Sequence, residues 1–186
     1  MIYALCDEDM LNRYNSNHEE FVSLAKDAGC SILQYRAKNL SKNQAKINLI
    51  KIRQIWSGYL IINDYIELSN FCDGVHIGQE DLINIDTNKK IALEKLRQKI
   101  GKDKLLGLST HNQYEVEEAN KFNIDYIGLG AFRETSTKNV SDSLGDKLDK
   151  IAKLSSHKVA AIGGVRFSDN FKNVTYKVIG SGFYAD

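Results

Sequence analysis

Apolar residues along this chain follow two alternating rhythms. The first is a short, nearly unbroken run, recurring at 2–6, 32–35, 59–62, 74–77, 105–109, 126–129, 159–162 and 176–179. Most of these runs are apolar at successive positions, which predicts parallel strands buried on both faces. The second rhythm repeats about every 3.6 residues, the period of a helix with one buried face. Phe21, Leu24, Ala25 and Ala28 share such a face, as do Ala45, Leu49, Ile52 and Trp56. Further stripes are Ala92, Leu96 and Ile100, then Val116, Ala119 and Phe122, then Leu144, Leu148, Ile151 and Ala152. Ser41 with Gln44 forms a capping-box signal, and Asn112 with Glu115 and Ser143 with Asp146 are weaker ones.

Strand and helix alternate over 1–186 with no linker and no shift in composition, so the pattern predicts a single α/β domain. Eight strand–helix units favour a closed (β/α)8 TIM barrel over an open sheet. Such barrels usually need at least about 200 residues, and this chain has 186. The economy falls at the end: the seventh helix is confined to about 167–172, and Gly180-Ser181-Gly182-Phe183-Tyr184-Ala185-Asp186 leaves no room for an eighth. The outer faces of the last and first strands are therefore expected to be uncovered, a patch that could seat a partner subunit in a homo-oligomer.

A formal charge of +1 offers no basic stripe for a phosphate backbone, which argues against nucleic acid as the main partner. No apolar run approaches the roughly 18 residues of a membrane span. The first residues, MIYALCDED, lack the basic region and cleavage site of a signal peptide. Cys6, Cys30 and Cys72 are odd in number and form no CxxC pair, which argues against structural zinc and a disulfide framework. A cytoplasmic protein with inert thiols at Cys6 and Cys30 is expected.

In a barrel of this kind, ligand-binding side chains come from the loops after the strands. The second strand ends in Gln34, Arg36 and Lys38, the third in Asn63 and Asp64, and the fourth in Gly78-Gln79-Glu80-Asp81. The fifth ends in Ser109-Thr110-His111, and the sixth runs on to Thr135-Ser136-Thr137-Lys138. The last two end in Gly163-Gly164 and Gly180-Ser181-Gly182. Asp64 and Asp81 are too few for a protein-only cation cage, but suit Mg2+ when substrate phosphates and water complete its shell. The bland alternative is a pair of carboxylates complementing helix N-termini. Arg36, Lys38 and Lys138 supply cations, and the glycine turns let backbone N–H groups approach a phosphate closely. Two anion sites follow, one metal-assisted and one glycine-lined, suited to small phosphorylated substrates. Arg36 could instead pair with Asp64, and Ser109 could merely cap the fifth helix. His76 lies mid-strand and reads as a satisfied core histidine. His111, at the rim, is a candidate positioning residue or proton carrier.

"LQYRAK", "LIINDYIEL", "DGVHIGQEDL", "GLSTH", "DYIGLGAF" with "TSTK", and "AAIGGV" resemble the thiamine phosphate synthase family in order and spacing, from about Ile32 to Ser181. The resemblance implies a (β/α)8 barrel transferase of thiamine biosynthesis that joins hydroxymethylpyrimidine pyrophosphate to hydroxyethylthiazole phosphate with Mg2+. It assigns Gln34, Arg36, Lys38, Ser109 and Lys138 to the pyrophosphate side, Arg36, Ser109 and Lys138 being the catalytic candidates. It assigns Asn63 to the pyrimidine, and Asp64 and Asp81 to the metal. Thr135, Thr137, Gly164, Gly180 and Ser181 fall to the thiazole phosphate. The chain departs from that pattern at Ala37, where a glutamate is usual, at Arg133 and Glu134, which replace an aromatic–proline pair, and at Gly180, which replaces a bulkier aliphatic residue. Alternatives are a thiazole tautomerase working through His111, and a catalytically inactive barrel that binds thiamine precursors.

Overall fold

The computed structural model describes residues 1–134 and 143–184. Eight parallel strands close into a barrel in chain order: β1 (Ile2–Asp7), β2 (Ile32–Arg36), β3 (Tyr59–Asn63), β4 (Gly74–Ile77), β5 (Leu105–Thr110), β6 (Tyr126–Leu129), β7 (Lys158–Ala161) and β8 (Tyr176–Ile179). β8 closes on β1 with Tyr3 opposite Val178 and Ala4 opposite Ile179. Every expected strand is present, four of them one residue longer at the C-terminal end and β7 starting one residue earlier.

Burial on both faces sorts each strand by parity. Outward residues such as Ala4, Leu33, Ile62, Val75 and Leu108 join the core beneath the helices. Inward residues Tyr3, Ile32, Ile61, Tyr126, Ala160, Tyr176 and Val178 form a separate cluster that plugs the barrel. Two residues at a time toward the C-terminal rim, the inward positions turn polar: Tyr3, Leu5, Asp7 in β1, and Ile32, Gln34, Arg36 in β2. The barrel is therefore filled at one end and open and polar at the other.

The described helices are α1 (Glu8–Arg13), α2 (His18–Asp27), α3 (Lys42–Ile55), α4 (Gln79–Ile83), α5 (Lys89–Ile100), α6 (Gln113–Ala119) and α7 (Lys147–Ala152), with a 3₁₀ segment at Ile66–Phe71. Ser41 caps α3, accepting from Gln44 N at 3.2 Å, while the Gln44 side chain turns away to Asn48. Asn112 caps α6, accepting from Glu115 N at 2.9 Å. The first crossover is two helices because Asp7 caps α1 directly at the strand end and Asn17 caps a second start, α2.

Three expectations are corrected. Ser143 and Asp146 form no cap: Leu144 N and Gly145 N bond to Ala131 O and Phe132 O, so the entry to α7 is set before Asp146 is reached. The helix expected at 167–172 is absent, and the crossover from β7 to β8 runs as turns. Carboxylates take backbone donors in and beside this stretch, Asp169 that of Arg166 and Asp149 those of Lys172 and Asn173. Such side-chain bonds compete with helical ones.

The third correction concerns the outer face of β8 and β1. After β8 the chain makes a 3₁₀ turn, Ser181–Phe183. The Phe183 ring meets Phe21 edge-on at 5.1 Å and Phe167 at 5.3 Å. Tyr184 stacks on Tyr14 at 4.7 Å, and its hydroxyl bonds Ser16 Oγ at 2.8 Å. These aromatics do the covering work of a helix, and Ala4, Cys6 and Ile179 beneath them are 0% exposed. The outer face of β8 and β1, expected to be bare and able to seat a partner subunit, is therefore covered by the chain itself. Cys6 and Cys72 are buried, Cys30 is half-buried, and all are free thiols. Burial pushes Cys6 well above the usual thiol range and Cys30 up to about 11. Among the described residues, no helix is long and apolar enough to cross a membrane.

Candidate active site

The polar end of the barrel opens into a cavity of about 400 Å3. Gln34, Arg36, Lys38, Asn63, Asp64, Asp81, Ser109, His111, Gly164, Gly180 and Ser181 all line it. Thr135, Thr137 and Lys138, with Ser136, lie outside the described residues. The strand-end rule thus brings every described candidate to one mouth.

Asp64 is placed by an abrupt exit from β3. Its φ of 63° is left-handed, a conformation that aspartate tolerates better than most residues. Tyr65 N and Ile66 N then bond to Asn63 O and Asp64 O, both at 2.8 Å, curling the chain off the strand. Asp64 Oδ2 accepts from Asn63 Nδ2 at 2.5 Å, and Oδ1 from Gly78 N at 3.4 Å. Asp81, in the first turn of α4, reaches the same glycine: a Cβ built on Gly78 would lie 3.2 Å from Asp81 Oδ2. Two carboxylates therefore flank one backbone position. Burial raises the Asp64 pKa and Asp81 raises it further, with Lys38 and Arg36 pulling the other way. A carboxylate pushed up by its neighbour is what a shared cation would relieve. Among the described residues no group of three or more His, Cys, Asp or Glu could hold a metal. The donor set fits a hard divalent ion that takes its other ligands from substrate and water.

Arg36 is not paired with Asp64. Its Nη1 donates to Asp7 Oδ2 at 2.5 Å, and the Asp7 side chain is only 2% exposed. Asp7 Oδ1 also accepts from Met10 N at 2.9 Å, so one carboxylate starts α1 and fixes the arginine. Sequence reasoning missed Asp7, although it ends β1 as Asp64 follows β3. Lys38 remains exposed at the rim.

Ser109 does not cap α6, since Asn112 does. Its Oγ lies 3.0 Å from His76 Nε2, and its carbonyl accepts from Gln79 Nε2 at 2.7 Å. His76 is a buried, hydrogen-bonded histidine as expected, and it also lines the cavity. His111 Nδ1 sits 2.9 Å from Glu115 Oε2, which also accepts from the His111 backbone N–H at 2.8 Å.

Across the mouth, Gly163 and Gly164 have φ of 87° and 66°, open to glycine at little steric cost. A Cβ on Gly163 would fall 2.5 Å from that of Ala131. Arg133 secures this turn. It donates to Gly164 O at 2.6 Å and forks onto both Asp169 oxygens at 2.6 Å. Gly180 meets nothing nearer than 3.5 Å, so glycine there widens the mouth without being sterically required.

Fold and mouth together define a TIM-barrel protein whose cavity gathers cations, paired carboxylates and glycine turns on one rim. The chain belongs to the thiamine monophosphate synthase family, whose model matches residues 2–180. The thiamine-phosphate synthase of Lawsonia intracellularis is 34% identical over 172 residues, spanning 89% of this chain and 74% of the relative. That of Persephonella marina is 34% identical over 180 residues, spanning 94% and 79%. A solved thiamine phosphate pyrophosphorylase from Pyrococcus furiosus shares the fold, with a TM-score of 0.75 at 23% identity over 97% of this chain and 85% of that one.

Proposed function

We propose that this protein joins a hydroxymethylpyrimidine pyrophosphate to a hydroxyethylthiazole phosphate, giving thiamine phosphate and free pyrophosphate. The observation that carries this reading is the meeting of Asp64 and Asp81 at Gly78, in the cavity that Arg36 and Lys38 also line. Asp64 and Asp81 would hold Mg2+, which when bound would neutralise charge gathering on the departing diphosphate. Arg36, already anchored by Asp7, supplies positive charge that needs no reorganisation as the leaving group ionises. Lys38 adds an exposed cation at the rim, and the family resemblance adds Lys138. Asn63, hydrogen-bonded to Asp64, would contact the pyrimidine. The pyrimidine carbon–oxygen bond breaks with its electron pair leaving on pyrophosphate, and the thiazole nitrogen lone pair then forms the new carbon–nitrogen bond. No proton has to be removed for that step. The turns at Gly163-Gly164 and Gly180-Ser181 present backbone to the second phosphate. The unpaired cysteines are compatible with a reducing cytoplasm.

The test is to supply both precursors with MgCl2 and follow pyrophosphate release and thiamine phosphate. Wild type should turn over, chelation should stop it, and Asp81→Ala should lose about 1,000-fold in kcat with an unchanged circular dichroism spectrum. A wild-type protein without turnover, or an Asp81→Ala variant that retains it, rejects the proposal.

A further inference from the structure

A line of hydrogen bonds crosses the barrel interior between two residues of the mouth. Gln34 Nε2 lies 2.6 Å from the Tyr3 hydroxyl, which lies 2.9 Å from that of Tyr126. Tyr126 is 3.1 Å from His76 Nδ1, and His76 Nε2 is 3.0 Å from Ser109 Oγ. The strands are built around these rings. A Cβ on Gly107 would lie 2.2 Å from Tyr126 Cζ and 2.5 Å from His76 Nδ1, and one on Gly128 would lie 3.0 Å from His76 Cε1. Glycine at the two inward positions is what lets a histidine and a tyrosine share the bore. Burial holds both phenols neutral, so each keeps its proton to donate.

With the Gln34 amide donating, the direction of the whole line follows. Tyr3 oxygen accepts from Gln34, and giving its own proton to the Tyr126 oxygen satisfies both groups. Tyr126 then donates to His76 Nδ1, which leaves the ring proton on Nε2. That proton goes to Ser109 Oγ, and the serine O–H is freed to point into the cavity. We propose that Tyr3 and Tyr126 are positioning residues that hold His76 as its Nε2–H tautomer and so make Ser109 a hydrogen-bond donor to an anionic ligand. The line couples the two ends: a ligand that turned the Gln34 amide over would reverse every bond and turn the serine proton inward. The proposal rests on the transferase reading only for the identity of the anion as the departing pyrophosphate.

The decisive measurement is the ring 15N spectrum of the full-length protein labelled in its four histidines, His76 being identified by the signal lost in His76→Gln. A protonated Nε2 and bare Nδ1 are expected, and a proton on Nδ1 would overturn the proposal with no variant needed. Tyr126→Phe should move His76 to a tautomer mixture and lower kcat about tenfold with KM nearly constant, the effect of losing one oriented donor to a charged acceptor. Added to Ser109→Ala, it should cost almost nothing further. Unchanged ring shifts in Tyr126→Phe, or full additivity in the double variant, count against the relay. Should Tyr126→Phe fail to fold, Tyr3→Phe breaks the same line one bond earlier, with the same expectations. An inactive wild type whose His76 is the Nε2–H form would sink the transferase reading and leave this one standing.

Discussion

Asp7 and Asp64 both leave a strand at the barrel mouth, and their surroundings give them opposite jobs. Asp7 is satisfied: it caps α1 and holds Arg36. Asp64 faces Asp81 and is raised by burial and by that neighbour. One carboxylate is used up in positioning a cation, while the other is left wanting one. Removing Asp7 should therefore harm the protein through Arg36. Asp7→Ala should lose about 4 kcal/mol in urea unfolding, the cost of breaking a buried ion pair together with a helix cap. Asp7→Asn keeps a capping oxygen and should recover about 1 kcal/mol of that. In both variants the KM for the pyrophosphate substrate should rise about tenfold as Arg36 loses its anchor. A normal KM beside lowered stability would confine Asp7 to folding.

At the scale of strands and helices, β5 shows how the bore is allotted. Its inward residues run Leu105, Gly107, Ser109: a plug residue, a gap for the rings of Tyr126 and His76, then a rim hydroxyl. Gly107→Ala should cost about 2 kcal/mol in urea unfolding, as an overpacked core does. It should also push His76 away from Ser109, seen as altered His76 ring shifts; a fully stable variant with unchanged shifts would show that the gap is not needed. The strands themselves were legible because burial on both faces writes an unbroken apolar run, and the site because the strand-end rule needs no contact information. What escaped were pairings between distant segments. Arg36 meets Asp7 only because the β1–β2 register sets those two residues opposite each other. Phe183 covers Phe21 across most of the chain length, and no local pattern announces it. The helix expected at 167–172 does not form, because Asp149, from a distant segment, claims the Lys172 backbone donor that a helix would have used.

At the scale of the whole molecule, the raised carboxylate at the mouth should be visible in the protein's stability. Asp64 in the unfolded chain titrates in the ordinary aspartate range, while in the folded chain its pKa is raised. Between those two values the native state binds a proton that the unfolded state has lost, so this group's contribution falls as pH rises through the window. Above the raised value the penalty is complete. Glu8, Glu115 and Asp169 are lowered by their partners and slope the opposite way, so the total curve hides the effect. The difference between wild type and Asp64→Asn isolates it. In chelator, the melting temperature of Asp64→Asn should exceed that of wild type by a margin that opens from about pH 4 upward and stops growing once the pH has passed the raised value. Mg2+ at about 100 times its Kd should then stabilise wild type by about 2.7 kcal/mol and close the gap, with little effect on the variant. Scanning calorimetry from acid to neutral pH, with and without MgCl2, reads both effects. Parallel curves for the two proteins, or equal stabilisation of both by Mg2+, would mean that the paired carboxylates at Gly78 are not where the ion binds.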